Sequence, residues 1–158
     1  MIASAKTNSS KIIKVEQKLS VQCKTFADDS NAIRSLDWDR SRFDIEFGLR
    51  NGTTYNSFII KGDKLAIIDT SHSKFEKLWI DQLLKEVNPE DIDYLISSHT
   101  EPDHSGLIGN LLNLNQNITI VGSKLALKFI EDQIHIPFKR LEVKSGEFLN
   151  LGINPHSG

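Results

Sequence analysis

Cysteine is nearly missing from these 158 residues, with Cys23 the single example. No disulfide can form within the chain, which fits a reducing, cytoplasmic setting. An excess of either charge is missing too. Nineteen Lys and Arg stand against 21 Asp and Glu, a formal net charge of −2, so no electrostatic ground favours nucleic acid or an anionic membrane as partner. No apolar run nears the roughly 18 residues that cross a bilayer, so no membrane span is expected. The polar start, Met1 to Lys14, lacks the apolar core of a secretory signal. No Gly-rich, phosphate-cradling loop appears, so the chain itself is not expected to bind flavin.

What is present describes one folded domain of ordinary length. Apolar residues make up 39% and charged residues 25%, neither disordered nor coiled-coil proportions. Residues 1–18 read as a flexible polar arm and 19–158 as the folded part. Alternation predicts a strand over Leu19–Phe26 and a second short one over Ala32–Trp38. Phe43, Ile45, Phe47 and Leu49 alternate with polar residues before Asn51-Gly52, the strongest short hairpin signal, with Thr53–Ile60 as the returning strand. A tight turn at Lys61–Lys64 then leads to a strand at Leu65–Asp69, completing a β-meander. Beyond it, Phe75, Leu78, Trp79, Leu83, Leu84 and Val87 recur at helical spacing over 74–87, with Ser71 or Ser73 as cap and Asn88-Pro89 as stop. Ile92–Ser97 reads as a buried strand, Leu107–Leu114 as a helix and Ile118–Val121 as a strand. Ser123–Ile134 reads as a helix with Leu125, Leu127, Phe129 and Ile130 towards the core. Phe138–Val143 and Glu147–Leu151 form a last strand pair around Ser145-Gly146. The fold class expected is α/β (α+β), a β-meander followed by alternating strands and helices.

The chemistry concentrates between Ser97 and Gly106. His99, Glu101, Asp103 and His104 put four metal-ligating side chains into six residues. With five His, nine Glu and twelve Asp in the chain, this H-x-E-x-D-H pattern has chance odds of roughly 7 × 10⁻⁴. In an extended loop, positions i, i+2 and i+4 face one way, so His99, Glu101 and Asp103 are expected to converge on one solvent-open volume. Pro102 stiffens that loop. Imidazole mixed with carboxylates suits iron or manganese better than a thiolate set would.

His99-Thr-Glu-Pro-Asp-His-Ser-Gly106 resembles the metal-binding signature of the metallo-β-lactamase superfamily, in the variant typical of flavodiiron proteins. Where hydrolytic relatives carry a second His, this chain has Glu101. Asp37–Asp44, Gly52–Ser57 and Ile67–Thr70 are similar to the N-terminal lactamase-like domain of cyanobacterial diflavin flavoproteins. The resemblance implies the N-terminal half of a metallo-β-lactamase-like αββα sandwich. It implies a diiron centre in which His99 and Glu101 bind one iron and Asp103 the other. His104 and Asp69 stand beside the site, either as ligands or supporting the ligands from outside. It further implies a parent oxidoreductase that passes electrons from NAD(P)H through flavin to iron and reduces dioxygen to water, or nitric oxide in its place. FMN would sit in a C-terminal domain, and partners would be that flavin domain or an electron-donor protein in a homo- or hetero-oligomer. The family's downstream His, Asp and His find no match before Gly158, so the chain reads as truncated and a poor iron binder alone. The alternatives are a zinc-dependent hydrolase of the same superfamily and a non-catalytic fragment.

Blander readings suit the remaining residues. His72 belongs to a cap, His135 ends a helix and His156 lies at the terminus. Cys23 is a small core residue, and Trp38 and Trp79 are core aromatics.

Overall fold

The computed structural model describes residues 18–43 and 47–152. Almost all of the arm expected over 1–18, together with His156, lies outside them.

Leu19–Ala27 (β1) and Ser30–Asp37 (β2) form an antiparallel pair. The next partner of β2 is Thr53–Lys61 (β5), paired antiparallel from Ser30↔Ile60 to Asp37↔Thr53. The hairpin expected between Phe43–Leu49 and Thr53–Ile60 is therefore not the one that forms. Arg42–Phe43 (β3) and Phe47–Gly48 (β4) pair with each other as a separate two-stranded ribbon. Gly52 shows why the chain passes β2 so closely. Its φ is +73°, and a Cβ there would stand 2.0 Å from the Asp37 carbonyl oxygen. Only glycine allows that approach in a left-handed conformation.

Leu65–Ile68 (β6) folds back antiparallel on β5. From here the sheet is parallel, running through Ile92–Ile96 (β7), Thr119–Gly122 (β8) and Lys139–Glu142 (β9). The seven-stranded order is β1-β2-β5-β6-β7-β8-β9. Each parallel step needs a crossover, and helices supply it. Glu76–Glu86 (α1) joins β6 to β7, and Pro102–Ser105 (α2) with Ile108–Leu114 (α3) joins β7 to β8. Lys124–Ile134 (α4) joins β8 to β9. A short 3-10 turn at Ser73–Phe75 precedes α1, capped by the His72 side chain, which accepts from Lys74 N–H; neither Ser71 nor Ser73 serves as the cap.

One sheet face carries the core. Ile59, Ile67, Leu95 and Ile120 are directly paired across four strands and are essentially inaccessible. Onto them pack Phe75, Trp79 and Leu83 from the α1 region, Leu107, Ile108, Leu111 and Leu112 from α3, and Leu127 and Ile130 from α4. Burying each large side chain contributes about 1.5–3 kcal/mol. Trp79 keeps its polar atom satisfied by donating Nε1–H to Ser57 Oγ at 2.8 Å. The opposite face has its own apolar row, Phe58, Ile68, Ile96, Val121 and Leu141, yet α1, α3 and α4 send their buried side chains to the first. Apolar residues on both faces with helices on one are what one layer of the expected sandwich requires.

Three further expectations are corrected. Trp38 lies beyond the end of β2, is 46% exposed and donates to Ser20 Oγ at the surface. Leu125 and Phe129 are exposed, because the core-facing stripe of α4 is only as wide as Leu127 and Ile130. Glu147–Leu151 is not a strand. Gly146 turns at φ +88°, but the chain does not return along β9. Val143 N–H donates to Gly122 O at one sheet edge and Lys64 N–H to Leu151 O at the other, so the segment between crosses the sheet. Among the described residues no helix is long and apolar enough to cross a membrane.

Candidate metal centre

Because β2, β6, β7 and β8 run the same way, Asp37, Asp69 and the His99–His104 segment emerge on one sheet edge. Asp69 continues the β6 ladder through its N–H to Ile96 O at 2.9 Å, then adopts φ +55°. Asp is among the few residues that tolerate this left-handed region. The turn aims its carboxylate, 5% exposed, along the edge. Oδ1 accepts Ser98 N–H at 2.8 Å, while Oδ2 accepts the Ser98 hydroxyl and lies 2.9 Å from His104 Nδ1. A carboxylate is acceptor-only, so Nδ1 carries the hydrogen, and the neutral tautomer of that kind has its lone pair at Nε2. That is the nitrogen and tautomer a metal takes when the other nitrogen is anchored to a carboxylate.

The His104 backbone is held as firmly. Its carbonyl accepts both Thr70 N–H, at 2.7 Å, and Thr70 Oγ1–H, at 2.8 Å. Gly106 lets the segment close on residues 71–73, since a Cβ would stand 2.9 Å from Ser71 O and 3.0 Å from Ser73 N.

The motif is extended only through Glu101, whose φ and ψ are −67° and 152°. Pro102 then opens α2, a single helical turn containing Asp103 and His104. Side chains rotate by about 100° per helical residue instead of alternating, so Asp103 leaves the side on which Glu101 projects. His99 Nδ1 meanwhile accepts Glu101 N–H at 3.1 Å. The nearest approaches are His99 to His104, 5.4 Å between ring centres, and His104 Nε2 to Asp103 Oδ2 at 3.7 Å. Among the described residues no three His, Cys, Asp or Glu side chains gather closely enough to hold a metal. The expected convergence of His99, Glu101 and Asp103 on one volume is thus corrected: the edge and backbone frame are in place, the side chains are not gathered. As a donor set, two imidazoles and two carboxylates fit iron.

Three contributors to this frame carry at most a weak local sequence signal: Thr70, Ser98 and Gln133, the last donating its amide N–H to Thr100 O at 3.1 Å. Only the Ser/Thr run after a strand end hints at the first two. A second polar group occupies the same edge. Tyr55 Oη accepts from Arg40 at 2.7 Å and donates to the buried Asp37, which also pairs with Lys74. His72 lies beside the Tyr55 ring. Burial, then the charges of Lys74 and Arg40, pull its pKa below the usual histidine value. On the other side of the motif, a cavity of about 190 Å³ opens next to His99, walled by Leu125, Ala126 and Phe129.

Known proteins share this family and fold. The family described as ODP family beta lactamase matches residues 53–152. Diflavin flavoprotein A 1 of Synechocystis is 56% identical over 137 residues, 87% of this chain and 24% of that protein. The chain spans about a quarter of the length of the curated relatives it matches. Among solved structures, a metal-soaked flavodiiron core from Synechocystis superposes with a TM-score of 0.78 at 31% identity, over 85% of this chain and 34% of that one. Rubredoxin oxygen:oxidoreductase of Desulfovibrio gigas gives 0.76 at 29% identity, over 83% and 33%.

Proposed function

Since the chain belongs to the ODP family of beta-lactamase-like domains, in the form carried by flavodiiron proteins, we propose that it is the iron-carrying part of an oxidoreductase that reduces dioxygen to water. Electrons would come from NAD(P)H through flavin, with FMN in another domain and the donor a flavin domain or separate protein of a cytoplasmic oligomer. Nitric oxide is the alternative substrate. The observation that carries this reading is Glu101, a carboxylate at the motif position where a zinc hydrolase would hold a second His, on the sheet edge beside the anchored His104.

Iron held there would supply the electrons that a diatomic substrate accepts. His99 and Glu101 would hold one iron, Asp103 the other. His104, fixed at Nδ1 by Asp69, keeps Nε2 turned towards Asp103. To serve as a ligand through Nε2, the His99 ring must first give up its bond from Glu101 N–H, because a neutral ring accepting at Nδ1 keeps its proton at Nε2. The apolar wall of Leu125 and Phe129 gives a small uncharged substrate one apolar side of approach to His99, facing Ser98, Thr100 and Ser123.

Iron content and oxygen uptake of the whole protein, with and without Glu101→Ala, test the proposal. Iron-dependent uptake lost in the variant, with the fold retained, is the expected result. Zinc in place of iron, or full uptake in the variant, overturns it.

A further inference from the structure

One peptide unit of the motif is gripped at both ends. Its N–H, on Glu101, donates to His99 Nδ1 at 3.1 Å. Its carbonyl, on Thr100, accepts Gln133 Nε2–H at 3.1 Å. Gln133 stands in the last turn of α4, which is seated in the core by Leu127 and Ile130. Its amide oxygen lies 3.2 Å from Ser105 Oγ, the hydroxyl that also faces Thr100 O at 2.9 Å and Glu101 O at 3.0 Å. The orientation of the amide is settled by chemistry: a carbonyl only accepts, so the NH₂ must face Thr100.

We propose that Gln133 is a positioning residue of the metal motif, holding the Thr100–Glu101 peptide from α4 and thereby setting where the His99 ring and the Glu101 side chain begin. A primary amide is suited to this task. It offers a donor to the loop's entry, while its oxygen lies beside the Ser105 hydroxyl at the exit, whose single hydrogen also faces the Thr100 and Glu101 carbonyls. When His99 releases the Glu101 N–H to ligate through Nε2, the Gln133 bond to Thr100 O would remain and still orient the peptide. Gln133 itself is exposed, so its bonds matter little to global stability and much to the local geometry of a loop built to present ligands. Partners standing behind metal ligands alter metal affinity by about 10- to 100-fold when removed. The proposal rests on the metal reading given above.

The test uses the whole protein, its Gln133→Ala variant and its Gln133→Glu variant. Anaerobic titration with ferrous iron measures affinity, amide hydrogen exchange measures protection at Glu101, and urea unfolding measures stability. Both variants are expected to bind iron about tenfold more weakly and to exchange the Glu101 amide faster, with the urea midpoint nearly unchanged. Gln133→Glu is the discriminating case. It keeps size and helix position but sets a carboxylate against the Thr100 carbonyl, so a packing role would leave it normal. Normal affinity in either variant, or a loss of affinity matched by a loss of stability, overturns the proposal. If the unaltered whole protein takes up no iron, the metal reading itself falls. Exchange at Glu101 then decides on Gln133 alone, and unchanged protection overturns its role.

Discussion

His104 and Asp69, thirty-five positions apart, meet at 2.9 Å between Nδ1 and Oδ2. Neither could do so from an ordinary strand end. Asp69 reaches the ring only because its backbone turns into the left-handed region directly after β6. Thr70 then binds the carbonyl of the same histidine. Ring and backbone of His104 are thus both tied to β6, the neighbour of the strand that delivers the motif.

Asp69→Ala is expected to destabilise the chain by about 1–3 kcal/mol, since it strands the Ser98 amide and hydroxyl and adds strain at positive φ. Asp69→Asn, tolerant of that φ and still able to accept a bond, costs less. Urea unfolding of the three proteins checks the order, and equal losses for Ala and Asn would refute this account.

Gly106→Ala tests the close seating of the motif. The added Cβ would stand 2.4 Å from Pro102 O, 2.9 Å from Ser71 O and 3.0 Å from Ser73 N, all backbone atoms that cannot rotate aside. Overpacking of this kind costs about 1–3 kcal/mol. The variant should show a lowered unfolding midpoint and faster amide exchange over residues 102–106.

His72 makes stability depend on pH. Its folded pKa is lowered, first by burial and then by Lys74 and Arg40. The unfolded chain therefore binds the proton more readily than the folded one. Stability is lost as pH falls below the ordinary histidine value of about 6.5 towards the folded value. His72→Asn, which can still accept Lys74 N–H, should shrink the difference in unfolding midpoint between pH 7.5 and pH 5. An identical pH dependence in both proteins would contradict the assignment.

Cys23 should be a slow nucleophile. Burial, then the hydrogen bond and charge of Glu86, raise its pKa to about 11, leaving roughly one thiol in a thousand ionised at pH 8. Glu86→Ala should speed alkylation by iodoacetamide at that pH. An unchanged rate would mean that burial alone protects the thiol.

Much of the molecule was legible from local patterning. Seven of the strands and the helices α1, α3 and α4 follow from alternation and helical spacing, because those periods are properties of the backbone over a few residues. The motif was legible too, since ligand chemistry depends on residue type. The last strand, Glu147–Leu151, misled because apolar alternation does not require a partner at hand. Trp38, Leu125 and Phe129 misled because apolar residues also occupy surfaces.

The sequence by itself determined the alternation of strands and helices, the position of the H-x-E-x-D-H run directly after a buried strand, and the absence of any cysteine framework. Only the tertiary structure decided that β5 pairs with β2 instead of the 43–49 segment, that Pro102 starts a helical turn within the motif, and that Asp69, Thr70 and Gln133 hold it from outside. The reason is physical. Local periods are written residue by residue, whereas a hydrogen bond between Gln133 and Thr100 exists only once the core has set α4 against β8, beside the loop that follows β7.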